Sequence, residues 1–139
     1  MILTIKGEPM GKQRPKVTRY GTYTPAKTVN YETLIREMFM VEKCQKLSGA
    51  LKLCILAYYS IPKSTSLKKK AAMIRSEIRP TKKPDLDNVM KIVCDALNKV
   101  AYDDDAQIVS AMVRKYYSEE PRLDIILEEV EERVQIEIS

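Results

Sequence analysis

The residues that could do chemistry in this chain are concentrated between Lys82 and Gln107, in the stretch KKPDLDNVMKIVCDALNKVAYDDDAQ. Six of these residues are aspartates, and two lysines precede the first aspartate. Mg²⁺ takes a few carboxylate ligands and completes its coordination with waters and substrate phosphate. A tight acidic cluster beside a basic run is therefore typical of a protein that holds a metal ion next to a nucleic-acid phosphate.

Composition excludes several other kinds of site. The chain has no histidine, which rules out Ser-His-Asp triads, histidine zinc sites and histidine general bases. Its three cysteines are widely spaced and form no CxxC pair, so we expect free thiols in a reducing cytoplasm. Any catalysis must come from Asp, Glu, Lys, Arg, Tyr or Ser, with or without a hard metal ion.

Length and hydropathy predict one globular domain over residues 1–139. The chain is 45% hydrophobic and 31% charged, as in ordinary folded proteins. The first residues lack an apolar core segment, and no stretch approaches about eighteen apolar residues. We therefore expect no signal peptide, no membrane span and a cytoplasmic location.

Charge is segregated along a chain whose formal net charge is +5. Residues 10–27 hold five basic and no acidic side chains, and residues 61–83 hold eight basic side chains against Glu77 alone. Residues 116–139 are acidic. Two basic segments around a carboxylate cluster indicate a polyanionic partner.

Seven basic residues are candidates for contact with a DNA backbone: Lys12, Arg14, Lys16, Arg19, Lys69, Lys82 and Lys83. Lysine and arginine at phosphates position a protein on DNA without reading its sequence. The alternative is a solvated loop at residues 10–27 and a solvated face on the helix that carries Lys69. Composition alone does not separate the two.

Hydrophobic periodicity predicts helices and strands that alternate along the chain. We expect a strand at 1–6, an extended basic arm, a helix from Thr24-Pro25 to about Lys46, a central strand at 51–60, a short helix at 64–74, and a helix from 85–88 to about Lys99. Strands at 108–117 and 123–128 are predicted to form an antiparallel hairpin, and residues 128–139 are ambiguous. The pattern predicts an α+β fold, a single compact domain with a mostly antiparallel mixed sheet and packed helices.

Asp85 and Asp87 stand at the predicted start of a helix, which allows two interpretations. Aspartate is favoured at helix N-caps and near the positive end of the helix dipole. However, a helix needs only one N-cap residue, and Asn88 could also act as the cap. Capping therefore does not account for a second carboxylate. If the helix entry is extended, both carboxylates project to one side and could share a metal ion.

Lys91 lies four residues after Asp87, and Asp95 and Lys99 continue the same row. One interpretation is a solvated ladder of ion pairs, each worth about 0.2–0.5 kcal/mol, which we favour for Asp95 and Lys99. The other makes Lys91 a cation beside the scissile phosphate. For Lys91 both interpretations stay open.

Asp103, Asp104 and Asp105 carry more charge than a polar turn requires. A turn accounts for Asp103, and at least one of the other two could be a further metal ligand. Neither this run nor the one from Asp85 fits an EF-hand, because the glycine at position 6 and the glutamate at position 12 are missing.

The segment PDLDNVMKIVCDALN followed by YDDDAQI, with KQRPKV and YTPAKTVNYE nearer the N-terminus, resembles the RusA-type endodeoxyribonucleases. These are small phage and prophage Holliday junction resolvases of DNA recombination and repair. The resemblance implies that Asp85, Asp87 and Asp105 are catalytic carboxylates that bind Mg²⁺, with Mn²⁺ as a substitute, and that Lys91 is the catalytic lysine. Asp104 is an alternative to Asp105 as the third ligand. The resemblance also implies a homodimer that binds four-way junction DNA and nicks two strands symmetrically.

The spacing of these carboxylates poses a geometric question. A helix from Asp87 to Lys99 is roughly 18 Å long, so Asp105 approaches Asp87 only if the chain folds back along the helix. Otherwise each site would combine carboxylates from two subunits. Two other functions also stay open: a junction-binding or nucleic-acid-binding module without catalysis, and a metal-dependent nuclease or phosphatase that acts on another nucleic acid.

Overall fold

A computed structural model of the chain describes residues 1–131 and contains three α-helices and two β-sheets. In chain order the elements are β1 Ile2–Lys6, β2 Lys16–Thr18, β3 Gly21–Tyr23, α1 Ala26–Val41, β4 Leu51–Ser60, α2 Leu67–Ile74, α3 Leu86–Leu97, β5 Ile108–Ser118 and β6 Arg122–Glu129. A short 3₁₀ turn, Asp105–Gln107, precedes β5. The ambiguous C-terminal stretch of the sequence lies mostly outside the described residues.

The main sheet has the strand order β1-β6-β4-β5. β6 is antiparallel to both β1 and β4, whereas β4 and β5 are parallel. The predicted hairpin of the last two strands is therefore wrong, because β4 lies between β5 and β6. In this order β4, the most apolar strand, is hydrogen-bonded along both of its edges, and the more exposed β5 lies at the edge of the sheet.

One face of the sheet forms the core. Alternate residues of β4 are fully buried, namely Leu51, Leu53, Ile55, Ala57 and Tyr59, and they join one hydrophobic cluster with residues of β1, β6, α1 and α3. Residues between them in β4 stay exposed or half-buried. This alternation is expected for a strand with only one face on the core. The α+β prediction with a mixed sheet is confirmed.

The helices differ from the predicted ones mainly at their ends. Pro25 is the N-cap residue of α1 rather than its first helical residue, and the helix stops at Val41 instead of about Lys46. Lys43 adopts a left-handed conformation with φ 53°, which ends a helix because it breaks the regular hydrogen bonding. Helical spacing predicts that Leu34 and Val41 share the buried face of Tyr31 and Ile35. In the structure both are exposed, and the buried face holds Thr28, Tyr31, Ile35 and Phe39.

α2 begins after Ser66, whose side chain accepts a hydrogen bond from the Lys69 backbone N–H at 3.3 Å. The apolar pattern predicts that Leu67 and Ile74 face inward, but both are exposed and Met73 is the buried residue of this helix. Helical spacing likewise predicts Leu86 on the buried face of α3. Leu86 is exposed, and that face is formed by Val89, Ile92, Val93, Ala96 and Leu97. None of the helices in residues 1–131 is long and apolar enough to cross a bilayer.

Candidate active site

The start of α3 presents two carboxylates that no helix cap uses. Asp85 is the N-cap residue and Asp87 lies in the first turn, but the Asp85 side chain makes no capping hydrogen bond. Both side chains are exposed. Capping thus explains where Asp85 stands in the chain and leaves its carboxylate available for another role.

The basic arm packs directly against this end of α3. The Lys12 N–H donates to the Asn88 carbonyl at 2.8 Å. A Cβ at Gly11 would lie 2.7 Å from the Pro84 Cβ and 2.9 Å from the Asn88 Cβ, so only glycine allows this approach. The close contact fixes the arm beside the two aspartates.

A cleft of about 810 Å³ opens between the arm and α3. Its lining includes Asp85 and Asp87 together with the cations Arg14, Lys27 and Lys83. Carboxylates could hold a hard cation here, and the three basic side chains could hold phosphate oxygens. Lys12 also lines the cleft, which thus brings together three of the predicted DNA-binding residues with two of the predicted catalytic ones.

Tyr59 and Lys115 lie on the sheet side of Asp85. The Tyr59 hydroxyl donates to the Pro84 carbonyl at 3.2 Å, and burial, with the nearby charges of Glu8 and Asp85, raises the pKa of Tyr59 to about 12. The Lys115 ammonium donates to the Lys82 carbonyl. Burial lowers the pKa of Lys115, while the Asp85 carboxylate acts in the opposite direction.

Lys91 and Lys12 share one carboxylate further along α3. The Asp95 carboxylate forms ion pairs with the Lys91 ammonium at 3.4 Å and with the Lys12 ammonium at 3.2 Å. Within residues 1–131 Asp95 forms no ion pair with Lys99, so the favoured Asp95–Lys99 pair is wrong. Lys99 lies beyond the helix in a left-handed conformation, φ 67°, and the helical spacing that the ladder assumed ends before it.

Lys12 is the most enclosed of the predicted DNA-binding residues. Its ammonium also pairs with Glu32 on α1. Burial lowers the pKa of Lys12, but its contacts with the Glu32 and Asp95 carboxylates outweigh burial and raise the pKa above its usual value. Its charge is already used to tie the arm to α1 and α3.

The three consecutive aspartates have three different surroundings. Asp103 pairs with Lys46 and is exposed, as expected for a turn residue. The Asp104 carboxylate accepts from the Ala106 N–H at 3.0 Å, and the Gln107 side-chain oxygen accepts from the Asp104 N–H at 3.1 Å, which makes a capping box. Asp104 therefore has a structural role as a cap. Of the two candidate metal ligands, Asp105 is the one whose carboxylate is not used for capping.

Asp105 lies beside the middle of α3. The Tyr102 hydroxyl donates to the Cys94 carbonyl at 2.7 Å, so the loop after α3 folds back along the helix. The carboxylates of Asp104 and Asp95 raise the pKa of Asp105, with the hydrogen bond to Asp104 as the largest cause, and Lys91 lowers it. Asp105 is thus near Lys91 rather than beyond the far end of the helix.

The predicted carboxylates nevertheless form two groups in one chain. Asp85 and Asp87 line the cleft, whereas Asp95 pairs with Lys91 and the charges of both act on Asp105. Over residues 1–131, no three Asp, Glu, His or Cys side chains are arranged to hold a metal ion. The oxygen donors suit Mg²⁺ chemically, and the first group supplies two of them next to phosphate-binding cations.

The remaining predicted DNA-binding residues lie outside the cleft lining. Lys16 and Arg19 belong to the exposed β2–β3 hairpin, which the sequence did not predict within the arm. Lys69 is exposed on α2, and the Lys82 ammonium lies 5.9 Å from the centre of the Tyr59 ring. Their contact with DNA stays a prediction.

Lys27 and Lys115 are two site residues that the sequence did not single out. Lys27 is in the first turn of α1 and reaches the cleft only through the packing of that helix against α3, which no local pattern signals. Lys115 did leave a signal: alternation in β5 places it on the same face as Val113 and Tyr117, which pack on the core. A charged residue on a buried face indicates a specific partner.

The chain is similar to known proteins over most of its length. Residues 6–128 match the family model described as "Endodeoxyribonuclease RusA". The chain is also 37% identical over 134 residues to a protein of Bacillus subtilis (strain 168) named "Uncharacterized protein YqaN", covering 91% of this chain and 94% of that protein. The family match includes the arm, the cleft, α3 and the aspartate turn, and the chain belongs to the RusA endodeoxyribonuclease family.

Proposed function

We propose that this protein is a Mg²⁺-dependent, structure-selective endodeoxyribonuclease that resolves four-way DNA junctions by paired symmetric nicks as a homodimer. The observation that carries the proposal is the cleft between the arm and α3. It places Asp85 and Asp87, two exposed carboxylates without a capping role, opposite Arg14, Lys27 and Lys83. Family membership supplies the reaction class, and the cleft supplies a place for it.

The residues of the cleft have separate tasks in this proposal. Arg14, Lys27 and Lys83 hold the DNA backbone through its phosphates, which fixes the strand without reading its bases. Asp85 and Asp87, with Asp105, would hold Mg²⁺, which when bound supplies positive charge at the attacked phosphodiester. Lys91 adds a cation near the departing oxygen, where developing negative charge needs stabilisation.

Two-fold symmetry follows from the substrate. A four-way junction offers two equivalent scissile strands, and an isologous dimer offers two equivalent sites. The exposed β2–β3 hairpin, with Lys16 and Arg19, extends the basic surface beyond the cleft. It suits a large branched substrate better than a short single strand.

One assay tests the proposal against the two other functions. A synthetic four-way junction, a matched duplex and a matched single strand are each incubated with Mg²⁺ and with a chelator. We expect paired nicks in the junction with Mg²⁺ only. Junction binding without any cleavage would instead identify a binding module, and equal cleavage of the duplex or single strand would identify a nuclease with another substrate.

A further inference from the structure

The chain between α2 and α3 carries Lys82, Lys83 and Pro84 directly ahead of Asp85, and it has no regular secondary structure. A segment without its own ladder of backbone hydrogen bonds takes its path from contacts with its neighbours. The contacts of residues 79–84 therefore decide where Asp85 stands and how the cleft is shaped.

Three hydrogen bonds join this segment to the ends of β4 and β5. The Arg79 side chain donates through Nε to the Lys115 carbonyl at 2.7 Å. The Lys115 ammonium donates to the Lys82 carbonyl, and the Tyr59 hydroxyl donates to the Pro84 carbonyl at 3.2 Å. Lys115 takes part in two of the three.

The position of Lys115 on β5 suits this task. It is paired with the fully buried Ala57 on β4 and is itself half-buried. Its ammonium lies 5.1 Å from the centre of the Tyr59 ring, within the range of a cation–π contact. An ammonium placed on the core side of a sheet needs such partners, because burial without them costs free energy.

We propose that Lys115 is a positioning residue of the candidate active site, which holds residues 79–84 against the sheet and so fixes Asp85 at the start of α3. The effect on nicking rests on the proposed function, whereas the effect on the segment does not. Arg114, its neighbour on the same strand, is exposed and makes no ion pair or hydrogen bond through its side chain within residues 1–131. It provides a matched control.

Amide hydrogen exchange in the free protein, without metal or DNA, tests the positioning itself. Lys115→Met keeps the apolar stem but removes the donor and the charge. We expect exchange across residues 82–89 to rise about tenfold or more, since a hydrogen bond from a charged group is lost. The reporter at the helix start is the Val89 N–H, which donates to the Asp85 carbonyl at 3.1 Å. Lys115→Arg should restore protection, and Arg114→Met should leave it unchanged.

Junction nicking with the same variants tests the functional consequence. For Lys115→Met we expect turnover to fall by about tenfold or more, with junction affinity in chelator within about twofold of the unmodified protein and partial rescue by Lys115→Arg. If Lys115→Met does not fold, Lys115→Gln gives the same comparison with a shorter, neutral side chain.

Unchanged exchange in the folded neutral variant would overturn the positioning role, whether or not nicking falls. Increased exchange with full nicking would show that Lys115 holds the segment but that nicking does not depend on it. If the unmodified protein nicks no junction at all, the proposed function fails, and the exchange comparison still decides whether Lys115 holds the segment.

Discussion

At the scale of single residues, Asp87 is the most informative carboxylate. It is exposed in the first turn of α3 and lines the cleft, so its replacement should not disturb the core. We predict that Asp87→Asn lowers junction nicking by at least about a hundredfold. Replacing even a residue that only contacts a metal ligand lowers metal affinity or activity by about 10–100-fold. Junction affinity in chelator should be equal or higher, since a negative charge beside phosphate is removed.

Gel-shift titration and single-turnover nicking of Asp87→Asn separate these two effects. Glu77→Gln, on an exposed carboxylate that pairs with Arg75 away from the cleft, is the matched loss of one negative charge. A parallel fall in binding and nicking for Asp87→Asn would show that Asp87 is structural.

Asp104 and Asp105 are adjacent but should behave differently. Asp104 caps the 3₁₀ turn through the Ala106 N–H, whereas Asp105 has no capping role and its pKa is affected by the charges of Asp95 and Lys91. We predict that Asp105→Asn abolishes nicking without changing thermal stability. Asp104→Asn keeps a side-chain oxygen that can cap, so it should retain both stability and most of the nicking.

Thermal unfolding and nicking of these two variants, measured side by side, check this prediction. Asp104→Ala, which removes the cap, should lower the melting temperature slightly and leave nicking measurable. Loss of nicking in Asp104→Asn with normal nicking in Asp105→Asn would reverse the assignment.

At the scale of elements, the site depends on one close contact between the arm and α3. We predict that Gly11→Ala destabilises the protein by about 1–3 kcal/mol, as overpacking usually does, because the new Cβ would lie 2.7 Å from Pro84. Relief of this clash moves the arm away, which breaks the bond from the Lys12 N–H to Asn88 and takes Arg14 from the cleft.

Urea unfolding and junction binding measure the two consequences for Gly11→Ala. Gly49→Ala, in the loop before β4 and outside the arm, is the control: its φ of +74° makes alanine strained, but no atom lies within 4 Å of the new Cβ. It should lose some stability and keep its junction affinity. Normal affinity in Gly11→Ala would show that arm docking does not shape the binding surface.

Local patterns predicted the elements well and their assembly less well. The strand at 51–60 follows from a short apolar run and the start of α3 from helical spacing, which are properties of neighbouring residues. The insertion of β4 between β5 and β6 depends on which edges meet in space, and the short link around Glu120 and Pro121 favoured a hairpin. The same limit hid Lys27, which joins the site through distant packing.

The carboxylates show the same division. The sequence showed that these side chains could bind a metal ion and that there are more of them than helix capping requires. It also showed that Asp105 approaches Asp87 only if the chain folds back along α3. The roles of Asp104 as a cap and of Asp95 as the partner of Lys12 and Lys91 required the fold, because spacing alone cannot say which of several neighbours a flexible side chain contacts.

At the scale of the whole molecule, stability should decrease at alkaline pH. Burial raises the pKa of the Cys94 thiol from 9.0 to about 11, and the charges of Asp105 and Asp95 act in the same direction. The folded chain then keeps a proton that the unfolded chain releases. We predict that the free energy of unfolding is steady below about pH 9 and falls as the pH rises toward about 11.

Urea unfolding across this range, for the unmodified protein and for Cys94→Ala, checks the dependence on pH. The variant should be less stable at neutral pH and lose stability less steeply in alkali. Because the pKa of Tyr59 is also raised, to about 12, the free energy of unfolding should still fall with rising pH in both proteins. Parallel slopes would show that Cys94 does not carry the effect.

A dimer raises the question of whether each site is built from one subunit or from two. The loop after α3 returns along the helix and brings Asp105 to the level of Lys91 within the same chain. We therefore predict that each site is completed by its own subunit, although Asp105 stands apart from Asp85 and Asp87 in the chain described here.

Mixing two inactive variants decides between the alternatives. Asp87→Asn and Asp105→Asn subunits carrying different tags are unfolded together, refolded, and purified through both tags as heterodimers. If sites are formed within one subunit, both sites of this heterodimer are defective and no nicking returns, which is the result we expect. If sites are shared, one of the two contains only unmodified residues, so nicking of a single strand would return and overturn the prediction. A heterodimer of unmodified and Asp87→Asn subunits is the positive control, because it keeps one intact site in either arrangement.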